Sequence, residues 1–397
     1  VWEVGPDLAH HWQAISPLQW RFYLRPAIRF HDGRELMMDD VITSLIRLTA
    51  LPLFAHISQV TSPVPFVIDV WLKEPDHWLP WLLGSTHAMI LPRDWRTLPD
   101  FAHHPVGTGP YAVVKNNDSQ LKIKASDDYF GFRALIDEVN IWVLPDASDE
   151  LPVSIQLQSD STAHDELESR MEEGCYFLLF DNRSQTGARS DVQRWLSQLF
   201  HPIALLGHTN SSHRQDWSPA YSLLPRWHHQ QVEPLLPKPA GLKQITLTLY
   251  QEHPEYRIVS EIMASMLAQQ GVTLQVQKVD YEHWYQGDAE SDIWLSSVNC
   301  YPPLEFSLFA LLYELPLLRH CLGDILQEDA QRWHHHDLSI ADFSQRLINS
   351  GSIHPLFHHW LQLQGQRSMR GVRMNMLGWF DFKSAWFVPP EPDTGFP

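Results

Sequence analysis

The apolar residues in the first 145 positions of the chain are spaced as in alternating strands and helices. β-favouring side chains or apolar–polar alternation predict strands in four segments, residues 20–24, 66–72, 121–125 and 136–146. Residues 39–48 carry apolar side chains at helical spacing. The turn at residues 106–110, which contains glycine and proline, is expected to lead into a hairpin.

The middle of the chain shows a different pattern. Residues 146–170 are polar and predict a connector, whereas residues 175–181 form an apolar run typical of a buried strand. A helix is predicted over residues 191–200. Residues 201–240 are rich in Pro, His and Trp, which predicts a loop.

The strongest secondary-structure signal is a βαβ unit in the second half of the chain. Residues 245–250 and 272–280 predict strands, and residues 255–270 between them predict a helix that Gly271 ends. A unit of this kind indicates a parallel or mixed α/β layer. The pattern then predicts a strand at residues 292–299, a mostly helical stretch to about residue 350, and extended chain at residues 354–368.

Length and charge limit the class of protein. A chain of 397 residues is too long for one compact core, so two or three lobes are expected. The net charge of −18 argues against binding of nucleic acid or anionic membrane by this segment. No apolar run approaches 18 residues, so we expect no membrane insertion. The first residue is Val1 rather than methionine, which indicates that residues are absent upstream.

Enzyme and metal motifs are absent from the sequence. It contains no nucleophile elbow, Walker A loop, zinc-protease helix or dinucleotide fingerprint. The three cysteines, Cys175, Cys300 and Cys321, lack the spacing of a metal knuckle or a disulfide framework. The 23 histidines include the neighbours His358 and His359, and we interpret them as solvated surface residues. We therefore predict no enzyme, no catalytic residue, no metal and no cofactor.

Two long motifs resemble family 5 extracellular solute-binding proteins, the oligopeptide, dipeptide and nickel receptors of ABC importers. The first covers the ionisable stretch near the start of the chain and matches at residues 24–25, 30–33, 39–41 and 44–47. The second matches at residues 104–114, 127–131 and 136–146. The βαβ unit and the strand after it match the core of the second lobe, so the resemblance covers nearly the whole chain.

This resemblance implies a two-lobed α/β clamp with mixed sheets and two hinge crossings, like periplasmic binding proteins of class II, cluster C. It implies a first lobe at residues 1–177 plus 355–397, incomplete at its N-terminus, and a second lobe at residues 178–354. The ligand is expected between the lobes. Peptide receptors carry an aspartate-rich segment after the strand that residues 292–299 match, but residues 299–309 contain no aspartate here.

Three further segments, residues 175–181, 218–229 and 365–387, resemble SgrR-type regulators of the sugar-phosphate stress response. That resemblance implies a cytoplasmic ligand-sensing domain for a sugar phosphate or a related metabolite. It also implies contact with DNA only through an N-terminal winged-helix domain that is absent from this sequence. The alternatives are a periplasmic receptor for oligopeptides or nickel that docks on an ABC permease, and an interaction domain with a vestigial pocket.

Template position and side-chain chemistry together select the candidate ligand-binding residues. They are aromatic, cationic and polar groups placed near the ends of predicted elements: Trp217, Tyr221, Arg226, Asn299, Trp379, Asp381 and Lys383. For each aromatic residue the alternative is packing in a core, and for each cation it is a solvated surface charge.

Overall fold

The computed structural model describes residues 4–142, 155–157, 165–209, 216–225, 234–300, 304–334, 339–366, 368–375 and 380–389. The chain forms two compact units. Unit 1 comprises Val1–Glu168, Leu363–Asn375 and Trp379–Pro397, and unit 2 comprises Ser169–Gln362 and Met376–Gly378. The predicted lobe boundaries at residues 177 and 354 fall close to these limits and stay predictions.

The described residues of the first part of the chain form strands β1 (Ala9–Ser16), β2 (Gln19–Leu24), β3 (Ile57–Thr61), β4 (Val67–Leu72), β5 (Tyr111–Asn117), β6 (Gln120–Ala125), β7 (Glu138–Trp142), β8 (Ile155–Leu157) and β9 (Asp165–Met171). The helices there are α1 (Met38–Leu48) and α2 (Leu79–Leu82), with 3-10 turns at Pro52–Phe54, Thr86–Ala88 and Trp95–Thr97.

The later strands are β10 (Gly174–Phe180), β11 (Trp217–Pro219), β12 (Gln244–Tyr250), β13 (Thr273–Val279), β14 (Ile293–Asn299), β15 (Ile353–Gly365), β16 (Met369–Arg370) and β17 (Trp386–Phe387). The later helices are α3 (Ser190–Leu199), α4 (Pro202–Gly207), α5 (Pro254–Gln269), α6 (Tyr281–Gln286), α7 (Leu304–Glu314), α8 (Pro316–His334) and α9 (Ile340–Asn349).

Unit 1 contains a four-stranded antiparallel sheet in the order β1-β2-β4-β3 and a three-stranded sheet in the order β5-β6-β7. The first turn of α1 contains Asp39 and Asp40, whose carboxylates lie at the positive end of the helix dipole. Met37 offers no side-chain cap, but the Asp40 carboxylate accepts the Met37 N–H at 2.8 Å. This bond offsets the absence of a side-chain cap at Met37.

A histidine joins the two family motifs of unit 1. His31 lies in the turn before α1, and its Nε2 is 3.0 Å from the Gly109 carbonyl oxygen. The His31 N–H donates to the Gly107 carbonyl oxygen at 2.8 Å. The ionisable stretch around residue 31 therefore has a structural role, because His31 holds the turn before α1 against the turn that contains Gly107 and Gly109.

Unit 2 is built on a mixed sheet in the order β11-β15-β10-β14-β12-β13. Strands β12 and β13 are parallel, as are β12 and β14, whereas β10 is antiparallel to both β14 and β15. All seven residues of β10 are buried, which explains its continuous apolar run. Helices α5, α7 and α8 pack on β12 and β13, on β14 and on β10, respectively.

The predicted α/β class is confirmed, and two of the local predictions are wrong. The segment at residues 146–170 contains β8 and β9, and both strands pair with β15. The segment at residues 201–240 contains α4 and β11, and β11 also pairs with β15. Strands β8 and β11 are three residues long, too short to show an apolar period, and the sequence of β9 is mostly charged.

Candidate functional site

The carboxyl ends of β12 and β14 lie at one end of the unit 2 sheet, together with the start of β10. Parallel strands direct their carboxyl ends to the same side, which is where α/β sheets place ligand sites. The side chains there include Glu172, Asn299 and His359, and we call these three residues the carboxyl edge.

One carboxylate connects the carboxyl edge. Glu172 Oε1 accepts a hydrogen bond from Asn299 Nδ2 at 2.9 Å, and Glu172 Oε2 lies 3.1 Å from His359 Nδ1. The Glu172 N–H donates to the His359 carbonyl oxygen at 2.9 Å. Asn299 Oδ1 is buried and has no hydrogen-bond partner within the described residues. The partly exposed Glu172 carboxylate therefore has capacity for further donors.

Gly174 brings β10 close to β14 beside this edge. A Cβ at this position would collide with the Val298 carbonyl and the Asn299 Cα, so only glycine fits. His358 Nδ1 lies 2.6 Å from the Gly174 carbonyl oxygen, and burial lowers the pKa of His358. His358 and His359 are 4% and 5% exposed, so their prediction as solvated residues is wrong.

A second cluster surrounds the start of α5. His253 stacks on Tyr256 with ring centroids 3.9 Å apart, and its Nδ1 lies 2.9 Å from Glu255 Oε2. Burial acts to raise the pKa of Glu255, but the contact with His253, a backbone hydrogen bond and the nearby His359 together outweigh it and leave that pKa below its usual range. Tyr256 is fully packed and its hydroxyl lies 3.1 Å from Ser297 Oγ. This cluster holds a carboxylate in the first helical turn, where the dipole stabilises it.

An ion pair between Asp181 and Arg183 lies at the opposite end of the same strands. We call this the closed end, because these two charged groups are paired with each other. Asp181 is 1% exposed, and its carboxylate accepts from Arg183 Nε at 2.9 Å, from Arg183 Nη2 at 2.7 Å and from Trp294 Nε1 at 2.9 Å. Burial acts to raise the pKa of Asp181, but these hydrogen bonds hold it below its usual range. An open cavity of about 840 Å³ lies here, lined by Asp181, Arg183, Ser184, Thr246, Gln275, Gln277, Gly287, Asp288, Ala289, Glu290, Ser291 and Asp292.

Three of the predicted ligand residues lie in unit 2. Asn299 lies in the carboxyl edge. Trp217 is 4% exposed and stacks on Phe357 with centroids 4.1 Å apart, which matches the packing role that the sequence left open. Tyr221 is half-buried, its ring centroid lies 5.8 Å from that of His201, and burial raises its pKa.

Two more predicted residues lie in unit 1, in the turn before β17. Lys383 Nζ lies 4.9 Å above the Tyr129 ring and donates to the Tyr129 hydroxyl at 3.3 Å. The Asp381 carboxylate accepts the Lys383 N–H at 3.0 Å and the Ser384 hydroxyl at 2.8 Å. Arg226 and Trp379 lie outside the described residues.

The sequence interpretation missed Glu172, His253, Glu255 and His359. Glu172 lies two residues before β10 and His253 three residues after β12, so both are close to the ends of strands that the sequence predicts. Among the described residues, no group of three or more His, Cys, Asp or Glu side chains could hold a metal ion. No helix in the described part of the chain is long and apolar enough to cross a membrane.

Sequence comparisons identify the family. Residues 3–152 match the profile of bacterial extracellular solute-binding proteins, family 5 Middle. The HTH-type transcriptional regulator SgrR of Pectobacterium atrosepticum is 69% identical over 389 residues, covering 98% of this chain and 70% of that protein. SgrR of Escherichia coli O157:H7 is 54% identical over 391 residues, covering 98% of this chain and 71% of that protein. The chain belongs to the SgrR family of transcriptional regulators.

Solved structures similar to this SgrR-family chain are solute-binding proteins. DppA of Helicobacter pylori in complex with the peptide STSA has a TM-score of 0.76 at 15% identity, over 97% of this chain and 90% of that one. The murein tripeptide binding protein MppA of Escherichia coli has a TM-score of 0.75 at 14% identity, with the same coverage. At this identity the likeness shows the fold alone, and it confirms the predicted periplasmic-binding-protein-like α/β fold with mixed sheets.

Proposed function

We propose that this chain is the ligand-sensing domain of a cytoplasmic transcriptional regulator. The observation that carries the proposal is the carboxyl edge of unit 2, where Glu172, Asn299 and His359 form a polar network at the ligand end of an α/β sheet. The proposed ligand is a sugar phosphate or a related small metabolite. This choice follows the resemblance to SgrR-type regulators of the sugar-phosphate stress response.

The proposed mechanism is binding without turnover. A ligand shifts a conformational equilibrium only by as much as its affinity differs between the two states. We propose that the ligand favours one arrangement of the domain, and that this arrangement alters how a helix-turn-helix domain, outside this sequence, contacts DNA. The relatives that carry the name SgrR are HTH-type regulators, which supports this assignment over that of an enzyme.

The alternative is a periplasmic receptor that delivers oligopeptides or nickel to an ABC permease. Its support is the similarity in fold to DppA and MppA at 15% and 14% identity. The SgrR relatives are far more similar in sequence, so the regulator is the proposal that we retain.

Ligand-dependent thermal stabilisation tests the proposed function. Purified protein is heated with glucose 6-phosphate, methyl α-glucoside, dipeptides or Ni²⁺ in separate samples. A ligand that binds only the folded state raises the melting temperature. At a ligand concentration of a hundred times Kd, the free energy of unfolding increases by about 2.7 kcal/mol. We expect the hexose derivatives to raise the melting temperature.

Two results would contradict the proposal. Stabilisation by dipeptides or Ni²⁺ alone would favour the periplasmic receptor. No response to any compound would favour an interaction domain with a vestigial pocket. A buffer-matched sample with sodium sulfate separates specific binding from a general salt effect.

A further inference from the structure

The carboxyl edge has more hydrogen-bond acceptors than donors to fill them. An ionised carboxylate has about four lone-pair sites, and the described contacts of the Glu172 carboxylate use two of them, from Asn299 and His359. Asn299 Oδ1 adds a carbonyl-type acceptor that is buried and has no partner in the described part of the chain. Buried polar atoms without partners are rare in folded proteins and call for an explanation.

Asn299 holds the Glu172 carboxylate in place. The bond from Asn299 Nδ2 to Glu172 Oε1, 2.9 Å long, places one side chain against the other. It also fixes which end of the Asn299 amide is oxygen, because a carboxylate accepts and does not donate. Gly174 keeps β10 and β14 at the spacing that this bond requires. The two oxygens of the Glu172 carboxylate are neighbouring acceptors, and they match neighbouring donors on a ligand.

We propose that the carboxyl edge binds vicinal hydroxyl groups of a sugar ring or polyol, with the Glu172 carboxylate as the acceptor and Asn299 as the residue that positions it. This inference rests on the proposed function and specifies the part of the ligand that unit 2 receives. Hydroxyl groups donate hydrogen bonds without bringing a charge to the edge. A phosphate group is the wrong chemistry for these acceptors, because at neutral pH it is an anion that mainly accepts.

A phosphorylated ligand would therefore present its hydroxyl groups, and not its phosphate, to Glu172. The charge of Glu172 then gives two opposite expectations. If Glu172 accepts from hydroxyl groups, replacing it with glutamine weakens binding of every sugar. If the phosphate lies against Glu172, the same replacement removes a repulsion between like charges and strengthens binding.

Calorimetric titration of wild type, Glu172→Gln and Asn299→Ala tests the inference. The probes are methyl α-glucoside, glucose 6-phosphate and inorganic phosphate. We expect Glu172→Gln to raise Kd about tenfold for both sugars by the same factor, as for the loss of a hydrogen bond to a charged group. Asn299→Ala is expected to weaken both sugars in parallel. Titration with inorganic phosphate is expected to give the same heat of binding for wild type and Glu172→Gln.

The matched control is Glu261→Gln, the same change on the exposed surface of α5, which leaves Kd unchanged. Tighter binding of glucose 6-phosphate or phosphate by Glu172→Gln would overturn the inference while leaving the proposed function in place. An unchanged Kd for the sugars in both Glu172→Gln and Asn299→Ala would also overturn the inference. The same holds if wild type binds an aminosugar tenfold more tightly than the corresponding sugar, because the edge would then prefer a charged donor to a hydroxyl group. No binding of any sugar by wild type would overturn the proposed function, and the inference with it.

Discussion

The two ends of the unit 2 sheet are formed by the same strands and differ in how completely their polar groups are paired. At one end Asp181 is 1% exposed, and both carboxylate oxygens accept hydrogen bonds from Arg183. At the other end the Glu172 side chain is 18% exposed, and Asn299 Oδ1 has no described partner. A fully paired network rigidifies a core, whereas acceptors with spare capacity are typical of a place where a ligand completes the pairing.

The largest expected effect comes from breaking the closed end. Asp181→Ala leaves the buried Trp294 N–H without its acceptor and removes the carboxylate partner of Arg183, whose Nη2 still donates to the Gly287 carbonyl oxygen at 3.0 Å. Removing one partner of a buried pair costs about 3 to 5 kcal/mol. Because Arg183 is 44% exposed and regains water, we expect a loss of about 3 kcal/mol. Urea unfolding followed by tryptophan fluorescence measures it.

The matched control is Asp191→Ala, which breaks a pair of the same spacing between Arg189 and Asp191 on the surface. Exposed pairs contribute about 0 to 1 kcal/mol, so this variant should unfold close to wild type. Equal losses in the two variants would show that burial of Asp181 does not matter, and the contrast between the two ends would fail.

The next effect depends on pH and on His354, which lies on β15 toward the closed end. His354 Nε2 lies 3.1 Å from the Phe200 carbonyl oxygen, and burial lowers the His354 pKa from 6.5 to about 4. The unfolded chain binds the proton first, so stability falls as the pH falls from 6.5 to about 4. We expect His354 to account for about 2 kcal/mol of this loss.

Denaturant unfolding of wild type and His354→Gln across that range measures the difference in slope. Other buried histidines contribute to the total, because burial also lowers the pKa of His201 and His358. His10→Gln, on the exposed strand β1, serves as the control and should keep the wild-type slope. A His354→Gln slope equal to that of wild type would exclude this role of His354.

The smallest effect on stability is expected at the carboxyl edge. Glu172→Gln keeps the size of the side chain and one carbonyl-type oxygen, so Asn299 and His359 retain contacts. We expect a change in the free energy of unfolding of about 0.5 kcal/mol or less, as for most partly exposed polar substitutions. The measurement is urea unfolding without ligand, and a loss as large as that of Asp181→Ala would show that the carboxyl edge is a structural element.

The sequence predicted those elements of the fold whose burial leaves a clear apolar period. The β10 run, α1, α3 and the βαβ unit from β12 to β13 lie within about a residue or two of their predicted positions. Strands β8 and β11 escaped prediction because three residues are too few to show a period, and β9 because its sequence is mostly charged. The family resemblance supplied the two-lobed fold, which local patterns alone do not specify.

Prediction of the site was limited by a different cause. Asn299 was selected because it ends a clear strand, and its role in ligand binding stays a prediction. Glu172 and His359 are 187 positions apart in the sequence and meet only through the pairing of the sheet. A pattern along the chain cannot show that meeting. The stacking of Trp217 on Phe357 is another contact between distant positions that the sequence pattern does not show.

Strand β15 is 13 residues long, and its residues up to Gln362 belong to unit 2 whereas those from Leu363 belong to unit 1. His359 in this strand contacts Glu172, and four residues later Leu363 pairs with Leu157 of β8. No loop lies between these two contacts, so the covalent path from the carboxyl edge to the unit 1 part of β15 is four residues of one strand.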